Sequence, residues 1–172
     1  MDSLSVVLPY DFVAKRIELT WQDILYAIEQ KFLSPKAAIE HAMIELSKVE
    51  EYPQSLVDLA SLDKGDSIHP YLDELVDLES DQPNEKINEK WMYLILAWIL
   101  ENKNNWVDPL GIVEQIYADF DYPEQISTFV RYMPSDEPDL GSLELNEARL
   151  YKKWEDYLKE QETRYALTKD ED

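Results

Sequence analysis

The chain has 172 residues, 37 Asp and Glu against 16 Lys and Arg, a formal charge of -21 and no cysteine. That surplus repels nucleic-acid backbones and anionic lipid headgroups and draws in basic surfaces, so neither nucleic acid nor membrane is an expected partner. Lacking thiols, the sequence has no disulfides, thiolate nucleophiles or cysteine-bound zinc, and with 45% hydrophobic residues the charge does not signal disorder.

Reading from the start, Met1-Asp-Ser-Leu-Ser-Val-Val-Leu-Pro has no basic region and only a brief apolar stretch, unlike a secretory signal. With the absent cysteines, which suit a reducing compartment, the expected location is the cytoplasm. Residues 3–8 are β-compatible, as is 125–132, but no Asn-Gly or Asp-Gly hairpin signal accompanies them. Thr20 and Asp23 form a capping box that opens a helix near 21–32 carrying Ile24, Leu25, Ile28 and Phe32. Ser34 and Pro35 open the next, whose stripe of Ala38, Ile39, Ala42, Met43 and Leu46 continues to about Val49.

Pro53 and Pro70 lead two short helices, with Leu56, Val57, Leu59, Ala60 and Leu62 on the first and Leu72, Leu75, Val76 and Leu78 on the second. Neither is long enough to persist unpacked. The spacing of Pro35, Pro53 and Pro70 hints at stacked helical hairpins. Residues 84–102 form a helix that is apolar nearly all round from Trp91; its ten-residue apolar run, 91–100, is about half of what a bilayer crossing needs. Asp108 and Pro109 start a helix bearing Ile112, Val113, Ile116, Tyr117 and Phe120, and Tyr122 and Pro123 start a short one through Ile126, Phe129 and Val130. Residues 135–142 read as a loop. A last helix, about 145–165, shows a narrow stripe of Leu150, Trp154, Leu158 and Tyr165. The fold class is therefore all-α: one bundle of seven to nine helices over residues 1–167, with a flexible acidic tail at 168–172.

Catalytic residue types are scarce. Of two histidines, His41 has Glu45 one turn on, a pair that in principle binds metal or moves a proton, though a histidine at a packed edge is the ordinary outcome; His69 reads as a loop or cap residue. Gly65, Gly111 and Gly141 do not build a phosphate-cradling loop, so no cofactor is expected. Glu114, Asp119 and Asp121 form an oxygen-rich trio able in principle to hold a divalent cation, although Asp119 and Asp121 read more simply as caps where a helix runs into a turn, with Arg131 as their partner.

Charge placement says more. Residues 65–85 hold Asp66, Asp73, Glu74, Asp77, Glu79, Asp81 and Glu85 with no Lys or Arg, and residues 104–148 hold ten acids against Arg131 alone. Such runs are usually solvated faces. Here Trp106, Tyr117, Tyr122 and Tyr132 are interleaved with the acids, and that combination suits long-range steering followed by aromatic anchoring. The expected partner-binding residues are Asp73, Glu74, Asp77, Trp106, Tyr117, Asp119, Asp121, Tyr122 and Tyr132.

Three segments carry a resemblance: Leu19-Thr-Trp-Gln-Asp-Ile-Leu25, Leu33-Ser-Pro-Lys36, and Val113-Glu-Gln-Ile-Tyr-Ala-Asp-Phe-Asp-Tyr-Pro-Glu124 through Phe129-Val-Arg-Tyr-Met-Pro134. Over about residues 8–165 the chain resembles the bacterial domain of unknown function 2247 family, which brings no assigned activity and no catalytic residues. Small acidic families of this kind often act as immunity proteins beside bacterial toxins, an association rather than a derivation. The expectation is a non-enzymatic protein-binding domain for a basic partner, such as a toxin domain; the rivals are a divalent-metal enzyme built on Glu114, Asp119 and Asp121, and a structural helical adaptor.

Overall fold

The computed structural model describes residues 5–63 and 65–170, with backbone alone for 167–170. It is all-helical: α1 (Tyr10–Arg16), α2 (Trp21–Glu29), α3 (Lys36–Lys48), α4 (Gln54–Ala60), α5 (His69–Asp77), α6 (Asn84–Glu101), α7 (Pro109–Asp119) and α8 (Leu143–Asp170), with 3-10 turns at Lys103–Asn105 and Glu124–Phe129. No strand occurs among the described residues; 5–8 belong to neither helix nor sheet, and 125–132 are largely a 3-10 turn. Residues 3 and 4 of the first β-compatible stretch, and 171 and 172 of the acidic tail, lie outside the described residues. Helical backbone covers 168–170. The chain divides into two compact units, residues 5–89 and 90–172, with the boundary inside α6.

In the first unit, punctuation decides the elements. The Thr20 hydroxyl accepts the Asp23 amide at 3.0 Å while the Asp23 carboxylate accepts the Thr20 amide at 3.0 Å, the reciprocal box that starts α2. Its other end is a left-handed Lys31 (φ 67°), and the Phe32 amide reaches back to the Ala27 carbonyl at 2.7 Å. This Schellman closure stops the helix at Glu29, short of the expected residue 32. α1 is an addition to the sequence reading: Pro9 at its N-cap sets the first turn, and the Val13 amide bonds the Pro9 carbonyl at 3.3 Å.

α3 is rotated from its expected stripe. Its buried face is Ala37, Ala38, His41 and Ala42, whereas Met43 is 58% exposed. Small alanines allow close approach, and α3 packs on α4, α4 on α5, and α5 on α2. Leu56, Leu59, Leu72 and Leu75 supply the buried sides of the two short helices, each contributing on the order of 2 kcal/mol by leaving water. Leu78, expected on the stripe of α5, is instead exposed just past its end.

In the second unit, Trp91 through Ala97 are all buried, as an all-round apolar helix requires. Leu110, Val113, Ile116 and Tyr117 form the buried face of α7. Phe129 stacks on the fully buried Trp154 of α8, centroids 6.1 Å apart with planes 3° from parallel, and Tyr157 closes in at 5.7 Å. These contacts fix the turn at Glu124–Phe129 against α8.

Residues 135–142 are irregular as expected, yet stitched down. The Arg149 guanidinium donates to the Pro138 carbonyl at 2.8 Å, the Leu140 amide to Asn146 Oδ1 at 3.0 Å, and Glu137 accepts from Lys153.

Candidate functional site

The acids of the 65–85 run have separate fates. Glu79 is structural: its two carboxylate oxygens accept the Trp21 and Gln22 amides at 2.9 Å each, satisfying open donors at the start of α2, where the helix dipole also favours negative charge. Asp66 accepts the Asp63 amide at 2.9 Å. Asp73, Glu74 and Asp77 on α5, by contrast, are exposed, and no cation among the described residues pairs with them. The buried side of α5 is held by Leu72 and Leu75, so the intervening positions face solvent by helical geometry alone.

The 104–148 run is more heavily used by the fold. Arg131 is the cation the sequence led us to expect beside Asp119 or Asp121; the structure corrects this. Its Nη1 and Nη2 donate to Asp108 at 3.0 and 2.8 Å, and its Nε donates to Glu114 at 2.8 Å. Asp108 precedes α7 and Glu114 lies on it, so one planar guanidinium spans both, an arrangement suited to a forked donor. The Arg131 hydrogen bonds hold the Asp108 carboxyl below its usual range, and those to Glu114 first and Asp108 second raise the guanidinium. Gly111 makes room: a Cβ there would lie 2.5 Å from Asp108 Oδ2. Glu137 is likewise drawn down by Lys153, and Asp139 by Asn146.

Of the trio Glu114, Asp119 and Asp121, Glu114 is engaged by Arg131. Among the described residues, no group of three or more His, Asp or Glu side chains is placed to hold a metal ion. His41 is buried with Tyr10 Oη 2.7 Å from Nδ1, Trp21 edge-on at 4.8 Å and Glu45 3.7 Å from Nε2. Burial pushes its pKa down to about 4, the Lys48 charge adds to this, and a backbone hydrogen bond to Leu19 opposes it. It is thus a packed, neutral histidine. His69 opens α5 and is exposed.

The aromatic candidates separate by burial. Trp106 is half-buried and Tyr117 buried, while Tyr122 and Tyr132 are 59% and 57% exposed. Both exposed rings flank the buried one: Tyr122 meets Tyr117 at 5.3 Å with planes 85° apart, and Tyr132 meets it at 6.2 Å and 57°. Tyr117 is anchored by its hydroxyl, which donates to Met133 Sδ at 3.8 Å.

The turn between the first two rings is unusual. Asp121 (φ 61°) and Tyr122 (φ 55°) are consecutive left-handed residues. The Tyr122 amide bonds the Tyr117 carbonyl at 2.7 Å and the Asp121 amide bonds Ala118 at 3.2 Å, a Schellman closure of α7 with Asp where glycine is usual. Left-handed backbone costs a residue with a side chain roughly 1 kcal/mol, so the turn spends stability to project a carboxylate and a ring. Asp119 and Asp121 are both exposed beside it. The motif Tyr-Ala-Asp-Phe-Asp-Tyr-Pro marked the spot in sequence; the paired positive φ values left no signal there.

The fold and these surfaces define a helical protein without a metal-ligating trio among the described residues, with unneutralised acids on α5 and an exposed tyrosine cluster at the end of α7. Residues 10–162 match the family described as "Uncharacterized protein conserved in bacteria (DUF2247)", and the chain belongs to that family. No curated protein and no solved structure matches the chain.

Proposed function

We propose that this chain is a non-enzymatic binding domain whose partner is a protein with a basic surface, in the manner of an immunity protein that blocks a cationic toxin domain. The observation that carries this reading is the exposed acid face of α5, where Asp73, Glu74 and Asp77 stand without a cation among the described residues. Charges left unpaired on a rigid helix contribute nothing to the fold that a neutral polar residue would not, and they add an attractive potential for basic surfaces. The tyrosine cluster supports the same reading, since exposed rings held by a fixed turn make anchors of low entropic cost.

The test is kinetic. A partner captured from the source cell and identified by mass spectrometry should be basic, and its association rate with this chain should fall at least about tenfold between roughly 50 and 500 mM salt, as the Debye length shrinks. Reversing Asp73, Glu74 and Asp77 to Lys should slow association while circular dichroism stays unchanged. Binding that ignores salt and these reversals refutes the reading.

A further inference from the structure

The tyrosine cluster and its neighbouring charges have complementary shortages. Tyr122 and Tyr132 are exposed rings packed on the buried Tyr117, and the described cations that sit over rings are on Phe12, Tyr151 and Tyr165. The only Lys or Arg between residues 104 and 148 is Arg131, next in sequence to Tyr132, and its fork is turned to Asp108 and Glu114. Among the described residues, then, no cation sits over the Tyr117, Tyr122 or Tyr132 ring, and Asp121, next to Tyr122 in sequence, is exposed. A planar cation fits this setting: it lies against a ring face while its edge donates to a carboxylate.

We propose that the Tyr122 and Tyr132 rings, with Asp121, form a receptor for an arginine side chain presented by the basic protein partner. This rests on the reading of the chain as a binding domain for such a partner and names the group recognised at one of its surfaces. Guanidinium is favoured over ammonium because it is planar, more weakly hydrated and able to stack and donate at once. The left-handed turn at Asp121 and Tyr122 holds the two backbone positions in place before binding, which lowers the ordering cost.

The experiment uses the full chain and a capped peptide with two arginines spaced by glycines, with its lysine counterpart as the comparison, followed by NMR of the tyrosine ring protons. The arginine peptide should shift the Tyr122 and Tyr132 resonances and bind more tightly than the lysine peptide. Tyr122→Ala and Tyr132→Ala should each weaken it about two- to fivefold, the range expected for an exposed cation on a ring, and Asp121→Asn should also weaken it. Tyr122→Phe and Tyr132→Phe keep the ring and should retain binding, which separates the role from a structural one.

If the arginine peptide binds but shifts residues elsewhere, and the alanine variants are unaffected, the receptor is overturned while the acidic-surface reading stands. Equal binding of the two peptides also overturns it. Failure of the captured basic partner to respond to salt or to the α5 reversals tells against the broader reading instead.

Discussion

His41 shows how one residue ties packing to acid sensitivity. An exposed imidazole titrates near 6.5, and burial brings this one to about 4. The folded chain therefore prefers the neutral ring, and protonation favours unfolding: the stability is fully present above about pH 6.5 and drains away as pH falls toward 4. A shift of that size corresponds to about 3 kcal/mol at most. Urea unfolding at pH 7 and pH 4.5 should show His41→Gln losing about 2 kcal/mol less between the two pH values than the parent does. Equal losses would show that the ring does not titrate in this window. The α3 stripe pointed to Met43 rather than His41 because the two lie on opposite flanks of the line through Ala38 and Ala42, and periodicity cannot tell which flank the alanines will bury.

At the scale of elements, the helix starts were legible because their signals are local. Thr20 with Asp23, and proline at the head of α4, α5 and α7, act through the first turn alone. Long-range partners were not legible. Glu79 was counted within an acid run, yet it caps a helix 57 and 58 residues away, a fact of tertiary approach that no spacing encodes. Arg131 was expected to pair with near neighbours in sequence and instead engages Asp108 and Glu114, which the return of the chain past the Glu124–Phe129 turn brings within reach. Of the candidate site, the residues were readable but their division into buried Tyr117 and exposed Tyr122 and Tyr132 was not. Replacing Glu79 with Ala removes two charge-assisted bonds at the start of α2 and should cost about 1 to 2 kcal/mol by urea unfolding. A loss below about 0.3 kcal/mol would mean water serves those amides equally well.

Across the whole molecule the charge is shared: residues 5–89 carry 18 acids against seven Lys and Arg, and residues 90–172 carry 18 against nine. Each unit thus repels itself, and added salt should relieve that strain more than it weakens the few surface pairs. The thermal midpoint should rise by several degrees from about 20 to 500 mM sodium chloride, and a fall would show that ion pairs such as Arg131 with Asp108 outweigh the repulsion. The buried imidazole gives this balance a sharper edge. Its proton is taken up close to the isoelectric point, about 4.3, so acid loosens the chain at the very pH where copies cease to push one another apart. Mild acidification should therefore end in precipitate rather than in a reversible open form, and rapid return to neutrality before the copies coalesce is the route to recovery.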